Sequence, residues 1–352
     1  GDWIRKAFRP EWWQGPEIPA GLPNAGYLQI EGNFPLFWGL AVAAYQATLI
    51  SDDAVYDRVQ LGQAAFTPQQ QLGLDVFMGK GLCINCHTGP VFSNATFPGV
   101  LPNPNPVEQM LMGAGQPAIY DTGFYNIGVR PTAEDLGVGG TDPFGRPLSL
   151  TRQFITSLVD GTPTVDGVVV DPCLFAVPFT GPGCTPTAQE LAALRDAVDG
   201  AFKVPTLRNV ALTGPYFHNG SRASLEQVVD FYDRGGDRRT VGQGDTTGFG
   251  INASNLSPDI VPLGLTAEEK QALVAFLGTL TDERVACEKA PFDHPALHVP
   301  HGIEGDQTAT ADLNGNGRID EEYIDIPAVG ASGLPGIRRP CLGSFESKLA
   351  LD

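Results

Sequence analysis

Cys83-Ile84-Asn85-Cys86-His87 is a C-x-x-C-H run, the attachment pattern of a c-type haem. Two thiols at this spacing suit the two vinyl groups of one haem, and the adjacent imidazole falls beneath the iron as its proximal ligand. The same residue types also make a dithiol redox pair or half of a zinc site. A redox pair calls for a βαβ setting and zinc for a further Cys or His pair, and neither is evident nearby. The run occurs once, so the expectation is one covalent haem c, held by Cys83, Cys86 and His87.

The sixth iron position decides between chemistry and electron transfer. Met78 stands too close to the run to reach the distal face. Met110, Met112, His218, His294, His298, His301 and several tyrosines remain as candidates. His298 and His301 also form a possible metal pair, set against the plainer reading of a solvated Pro-rich loop. A second ion site is expected at Asp312-Leu313-Asn314-Gly315-Asn316-Gly317-Arg318-Ile319-Asp320, which matches the first nine positions of an EF-hand calcium loop. Asp312, Asn314, Asn316 and Asp320 offer side-chain oxygen and Arg318 its backbone carbonyl. Position twelve is Tyr323 rather than Glu, so Glu321 or Glu322 would have to substitute. The alternative is an Asx-rich turn with no ion.

Elements that must position these residues can be read from caps and periodicity. Thr67-Pro68-Gln69-Gln70 starts a helix that runs towards Lys80 and delivers the Cys-His run; Thr187/Glu190, Ser224/Gln227 and Thr266/Glu269 repeat the capping-box pattern. Phe34–Tyr45 is apolar nearly all round and reads as a buried helix. The longest apolar run, Phe34 to Ile50, contains Pro35 and Gln46 and falls short of the ~20 residues of a membrane span. Residues 88–185 read as loop, with at most short strands over Tyr120–Val129. The fold expected is mainly α: a cytochrome c-like helical haem domain with long irregular loops and few short strands.

The chain has 352 residues, 43 Gly, 30 Pro and a formal net charge of −18 from 22 Lys and Arg against 40 Asp and Glu. Such an acidic surface disfavours nucleic acid and anionic membranes and favours a basic protein partner, here a redox partner protein, or none. Of six cysteines, four remain after haem attachment, and covalent haem is acquired outside the cytoplasm. Two disulfides are therefore expected, Cys173–Cys184 and Cys287–Cys341, with the other pairings open from sequence, in a periplasmic or extracellular protein. There is no signal peptide, so the chain reads as a mature or processed form.

Phe202-Lys203-Val204-Pro205-Thr206-Leu207-Arg208-Asn209-Val210-Ala211-Leu212-Thr213-Gly214-Pro215-Tyr216-Phe217-His218-Asn219-Gly220, followed by Ser224–Val229, resembles the signature of bacterial di-haem cytochrome c peroxidases. That family includes the di-haem enzymes that form a tryptophan-derived quinone. Residues Ala44–Asp57, the haem run with Gly89-Pro90, and Leu265–Leu280 fit in the same order, so the likeness covers about residues 34–285. It implies a C-terminal haem domain over 34–285, preceded by an extension or domain remnant over 1–33 and followed by a loop-rich tail over 286–352. It also implies a distal ligand at Tyr232, where the peroxidases carry Met and the quinone-forming relatives Tyr. A calcium ion is implied on backbone carbonyls matching Thr213 and Pro215, and Arg208 suits a haem propionate. The family's peroxide-binding haem lies in an N-terminal domain with its own C-x-x-C-H, which these residues lack.

Three functions are thereby expected to compete. The first is the electron-relay half of a di-haem peroxidase-like oxidoreductase, with its peroxide-reactive haem on another domain or subunit. The second is a stand-alone mono-haem carrier or assembly subunit. The third is an oxygenase relative with an open iron site. A second C-x-x-C-H upstream of Gly1 separates the first from the second.

Overall fold

The computed structural model describes residues 1–22, 24–95, 105–113, 115, 117–132, 134–161, 169–237, 255–303, 311–334 and 341–343. The chain divides into two units, one of residues 1–52 with 283–341 and one of residues 53–282 with 342–352. In chain order the first unit opens with α1 (Asp2–Ala7), α2 (Gln29–Gly32) and α3 (Phe34–Gln46). The second holds α4 (Val55–Gln60), α5 (Pro68–Met78), β1 (Val107–Leu111), β2 (Pro117–Asp121), β3 (Phe124–Tyr125), α6 (Leu150–Asp160), α7 (Ala188–Ala193), β4 (Phe202–Lys203), α8 (Leu225–Asp233) and α9 (Ala267–Gly278). The first unit then closes with α10 (Glu283–Ala286), β5 (Leu297–Ile303) and β6 (Glu321–Ile326).

This corrects the expectation of a mainly α fold. Among the described residues, helices of at most 13 residues alternate with three two-stranded antiparallel sheets, β1–β2, β3–β4 and β5–β6. The cause lies in the composition: Pro removes a backbone donor and Gly costs conformational entropy, so long helices do not propagate. The short β1–β2 pair escapes a periodicity reading because β2 is buried at every position after its first, instead of alternating.

The second unit is built on α5 against α9. Thr67, Thr187 and Thr266 each close a reciprocal capping box with Gln70, Glu190 and Glu269. At α8 the box is half made: Ser224 accepts from the Gln227 N–H, but the Gln227 side chain accepts from the Ala223 N–H. Phe77, Phe276 and Leu280 are fully buried between α5 and α9, with Phe77 and Phe276 5.2 Å apart and Tyr56 5.0 Å from Phe92. A separate apolar cluster joins Met112, Ala118, Tyr120, Tyr125, Ala197 and Val204. Buried Asp121 receives the Ser149 hydroxyl and the N–H groups of Leu150 and Thr151, which fixes the start of α6.

In the first unit α3 differs from its expected burial. Phe37 alone is buried, 4.7 Å from Phe8, while Phe34, Leu36, Trp38, Leu40 and Tyr45 are exposed. Apolar character all round a helix states a preference, and the unit supplies a partner for only one of its faces. Both expected disulfides form, Cys173–Cys184 and Cys287–Cys341, across 11 and 54 residues. By loop length they constrain the unfolded chain by about 3 and about 4 kcal/mol in the chain-entropy picture. No helix among the described residues is long and apolar enough to cross a membrane.

The α5–α9 contact depends on Gly73, where an added Cβ would stand 1.9 Å from the Ala272 carbonyl oxygen. Gly73→Ala must push the helices apart, so it is expected to destabilise the fold by about 1–3 kcal/mol. Chemical denaturation followed by far-UV circular dichroism measures this, and an unchanged midpoint would contradict the close approach.

Candidate haem-binding site

The chain leaves α5 at Gly79 and turns sharply: the Gly81 N–H bonds to the Val76 carbonyl at 2.7 Å, and Leu82 takes a left-handed conformation at φ 57°. A Cβ on Gly81 would lie 2.7 Å from that carbonyl oxygen. A single 3-10 turn over Cys83–Asn85 follows, with the His87 N–H bonded to the Cys83 carbonyl at 2.9 Å. One turn therefore carries both thiols and the imidazole. Both thiols are free. Burial pushes each up to about 12, with the charge of Asp259 adding at Cys86, so both are neutral at ordinary pH. Cys83 and Ile84 border the α5–α9 core, whereas Cys86 borders the Tyr120–Tyr125 cluster. The run thus sits where two apolar surfaces meet.

Burial holds the His87 ring below the usual imidazole range, against the raising effect of the Phe92 and Pro205 carbonyls. Its Nδ1 lies 2.8 Å from the Phe92 carbonyl oxygen. A carbonyl only accepts, so Nδ1 carries the proton and donates, leaving a lone pair on Nε2. That is the tautomer a metal requires, oriented by the kind of outer hydrogen bond that histidine ligands make. Two reduced thiols at haem spacing, a neutral histidine and apolar flanks fit a covalent haem. Among the described residues no three His, Cys, Asp or Glu side chains form a metal-ion cluster, so a zinc site has no further ligands there.

Tyr232, on α8, packs 5.2 Å from Phe231 and 6.3 Å from Phe217. Its hydroxyl makes no side-chain hydrogen bond among the described residues and is an electrostatic neighbour of Cys86 and Cys83. Burial first, and then those two thiols, push its pKa above the ordinary phenol range. The other candidates are placed differently. Met78 is exposed. Met110 and Met112 pack in the cluster that borders Cys86. His218 donates from Nε2 to Asp135 at 2.7 Å and stacks on Phe202 at 3.6 Å. His294 meets Glu288, and His298 meets Asp325 and stacks on Tyr323, all in the first unit. The side chain of His301 lies outside the described residues.

Tyr120 and Tyr125 were not singled out by sequence, although they stand in the one stretch with strand character. Tyr120 donates to Glu108 at 2.7 Å, and Tyr125 accepts from Asn94 at 2.6 Å beside Cys86. Arg208, expected at a propionate, directs Nη1 at Asp57 (2.6 Å) and both Nε and Nη2 at the Pro90 carbonyl (2.9 and 2.8 Å). The Thr213 hydroxyl donates to the Val210 carbonyl, and the Pro215 ring lies against Gly220. In the first unit, Asp312 accepts the N–H groups of Asn316 and Gly317, Asn316 that of Arg318, and Asp320 that of Leu313. The oxygens of this loop therefore turn inward on their own backbone. Tyr323 lies in β6 and donates to Glu321.

No family model matches the chain. A cytochrome-c peroxidase IdrP2 of Denitromonas iodatirespirans is 32% identical over 244 residues, covering 69% of this chain and 48% of that protein. The methylamine utilization protein MauG of Paracoccus denitrificans is 32% identical over 256 residues, covering 69% and 51%. Among solved structures, a MauG-like protein associated with microbial copper homeostasis is 27% identical with a TM-score of 0.38, covering 66% of this chain and 49% of that one. The chain spans about half the length of the curated relatives it matches. With its half-buried Cys-x-x-Cys-His turn and the two curated relatives at 32% identity, the chain belongs to the di-haem cytochrome c peroxidase and MauG family of haem proteins.

Proposed function

We propose that this chain is the c-type haem electron-relay part of a di-haem peroxidase-like oxidoreductase, handing electrons to a peroxide-reactive haem on another domain or subunit. The observation that carries this reading is Tyr232, whose hydroxyl has no side-chain hydrogen bond among the described residues and neighbours both haem-attaching thiols. Cys83 and Cys86 would hold the group covalently, and the Nε2 lone pair of His87 and the Tyr232 oxygen would be the protein donors to its iron, leaving no open position for peroxide. When bound, the haem supplies a one-electron ferric/ferrous couple and a positive charge that inverts the local acid–base preference. In the protein alone, burial keeps the proton on the Tyr232 oxygen, and ligation requires its loss. The Ser224 cap fixes the start of α8, and Phe231, fully buried, fixes its rotation, so the phenol has a set direction. The net charge of −18 favours a basic redox partner. Covalent haem and two disulfides suit an oxidising compartment, the periplasm or the outside of the cell.

Structural calcium belongs to the same reading. One ion is assigned to the loop of Asp312, Asn314, Asn316, Arg318 and Asp320, and one to the backbone carbonyls of Thr213 and Pro215. An ion that binds only the folded loop stabilises it by mass action, rising with the logarithm of the free-ion concentration above its Kd.

Intact-mass analysis of the denatured, matured chain is expected to show one retained haem, which Cys83→Ala with Cys86→Ala abolishes; an unmodified wild-type mass removes the haem reading. Tyr232→Phe is expected to open the iron, giving a high-spin ferric spectrum and cyanide binding. A wild-type spectrum in that variant would exclude Tyr232 as ligand, and a sulfur-to-iron charge-transfer band would point to Met110 or Met112. Chelator is expected to lower the Tm of the wild type and to lower that of Asp312→Ala less. Equal responses would leave the 312–320 loop without an ion.

A further inference from the structure

The Leu207-Arg208-Asn209 turn is fastened to the end of the α9 region independently of the haem run. Asn209, left-handed at φ 61°, donates its N–H to the Leu280 carbonyl at 2.9 Å. Its side-chain oxygen accepts the N–H of fully buried Asp282 at 2.9 Å, and Asp282 in turn accepts the Asp53 N–H at 3.2 Å. From this base two side chains reach the segment that follows the histidine. The Thr206 hydroxyl donates to the Val91 carbonyl at 2.5 Å while accepting the Arg208 N–H at 3.1 Å. Arg208 forks onto the Pro90 carbonyl through Nε and Nη2, and its Nη1 pairs with Asp57; the side chains of this pair are only 13% and 14% exposed. The guanidinium also lies 5.7 Å from the Phe92 ring centroid and 6.0 Å from that of Tyr56.

Three successive residues, 90, 91 and 92, are thus gripped by one turn. The last of them, Phe92, stands at φ 54°, a conformation that costs free energy in a residue with a Cβ and persists only where the surroundings impose it. In that conformation its carbonyl meets the His87 ring at 2.8 Å. We infer that Arg208 and Thr206 are positioning residues for the axial imidazole: by holding the backbone of residues 90–92 they keep the Phe92 carbonyl on His87 Nδ1–H and so set how strongly Nε2 donates to a haem iron. This rests on the haem reading above. It gives Arg208 a different task from binding a propionate, since its Nε, Nη1 and Nη2 are all directed at oxygens of the chain itself.

The sign of the potential shift separates the two tasks. A carbonyl on Nδ1–H makes the imidazole a stronger donor and favours ferric iron, so loosening that bond raises the midpoint potential. Removing a cation that acts only by its charge lowers the potential, because the oxidised state carries the extra positive charge. In the haem-loaded chain, Arg208→Gln and Arg208→Lys are both expected to raise the midpoint potential and to lower the iron–histidine stretching frequency in the ferrous Tyr232→Phe background. Thr206→Val changes no charge and is expected to shift both readings the same way; if the Arg208 variants do not fold, it decides alone. Covalent haem content is measured by mass in every sample. A wild type without haem defeats the haem reading itself. Haem-loaded variants overturn the positioning role if Arg208→Gln lowers the potential, or if Arg208→Lys and Thr206→Val leave potential and stretching frequency unchanged.

Discussion

The hydrogen bond between the His87 ring and the Phe92 carbonyl is the contact on which the second unit converges. It selects the tautomer, and the tautomer decides whether the histidine presents a lone pair or a proton to whatever lies beside it. Neither partner is held by regular structure. His87 ends a single turn that hangs from α5, and Phe92 belongs to a loop pinned by Thr206 and Arg208. The α5–α9 core fixes both bases, since Val76, Phe77 and Phe92 share one apolar cluster with Leu273, Phe276 and Leu280.

Burial sets the chemistry around that contact. Thiols, imidazole and the Tyr232 phenol are all driven towards their neutral forms by desolvation. Neutrality lets four polar side chains share an apolar pocket without paired counter-charges. It also makes the pocket responsive, since a cationic centre introduced there meets ligands whose charge state it can change.

What the sequence reveals and what it hides follow from the range of the interactions. The Cys83-to-His87 spacing is legible because one turn must satisfy three bonds. Thr67 with Gln70 and Thr266 with Glu269 are legible because a cap is a contact over three residues. Ser224 with Gln227 is only half legible: the glutamine has two backbone donors within reach and takes Ala223. The apolar α3 reads as buried, but burial depends on a partner, and the unit provides one only at Phe37. The mainly α expectation fails because β1–β2 and β3–β4 are too short and too unevenly buried to carry a period of two. Arg208 is legible as a cation, but not as a fork on Pro90, because that contact joins residues 118 apart.

The same separation has a consequence for how the protein comes into being. During synthesis the Cys-His turn emerges well before Thr206 and Arg208, which lie 115 and 118 residues from the carbonyls they grip. Until then the 90–92 loop has only local contacts, such as the Phe92 N–H on the Gly89 carbonyl, and closing so long a loop is entropically slow. Burial in the finished fold is what pushes both thiols up to about 12, and a chain that has not yet buried them lacks that effect. Thiolate is the reactive form of cysteine, so the nascent, open chain offers far more of it than the finished fold.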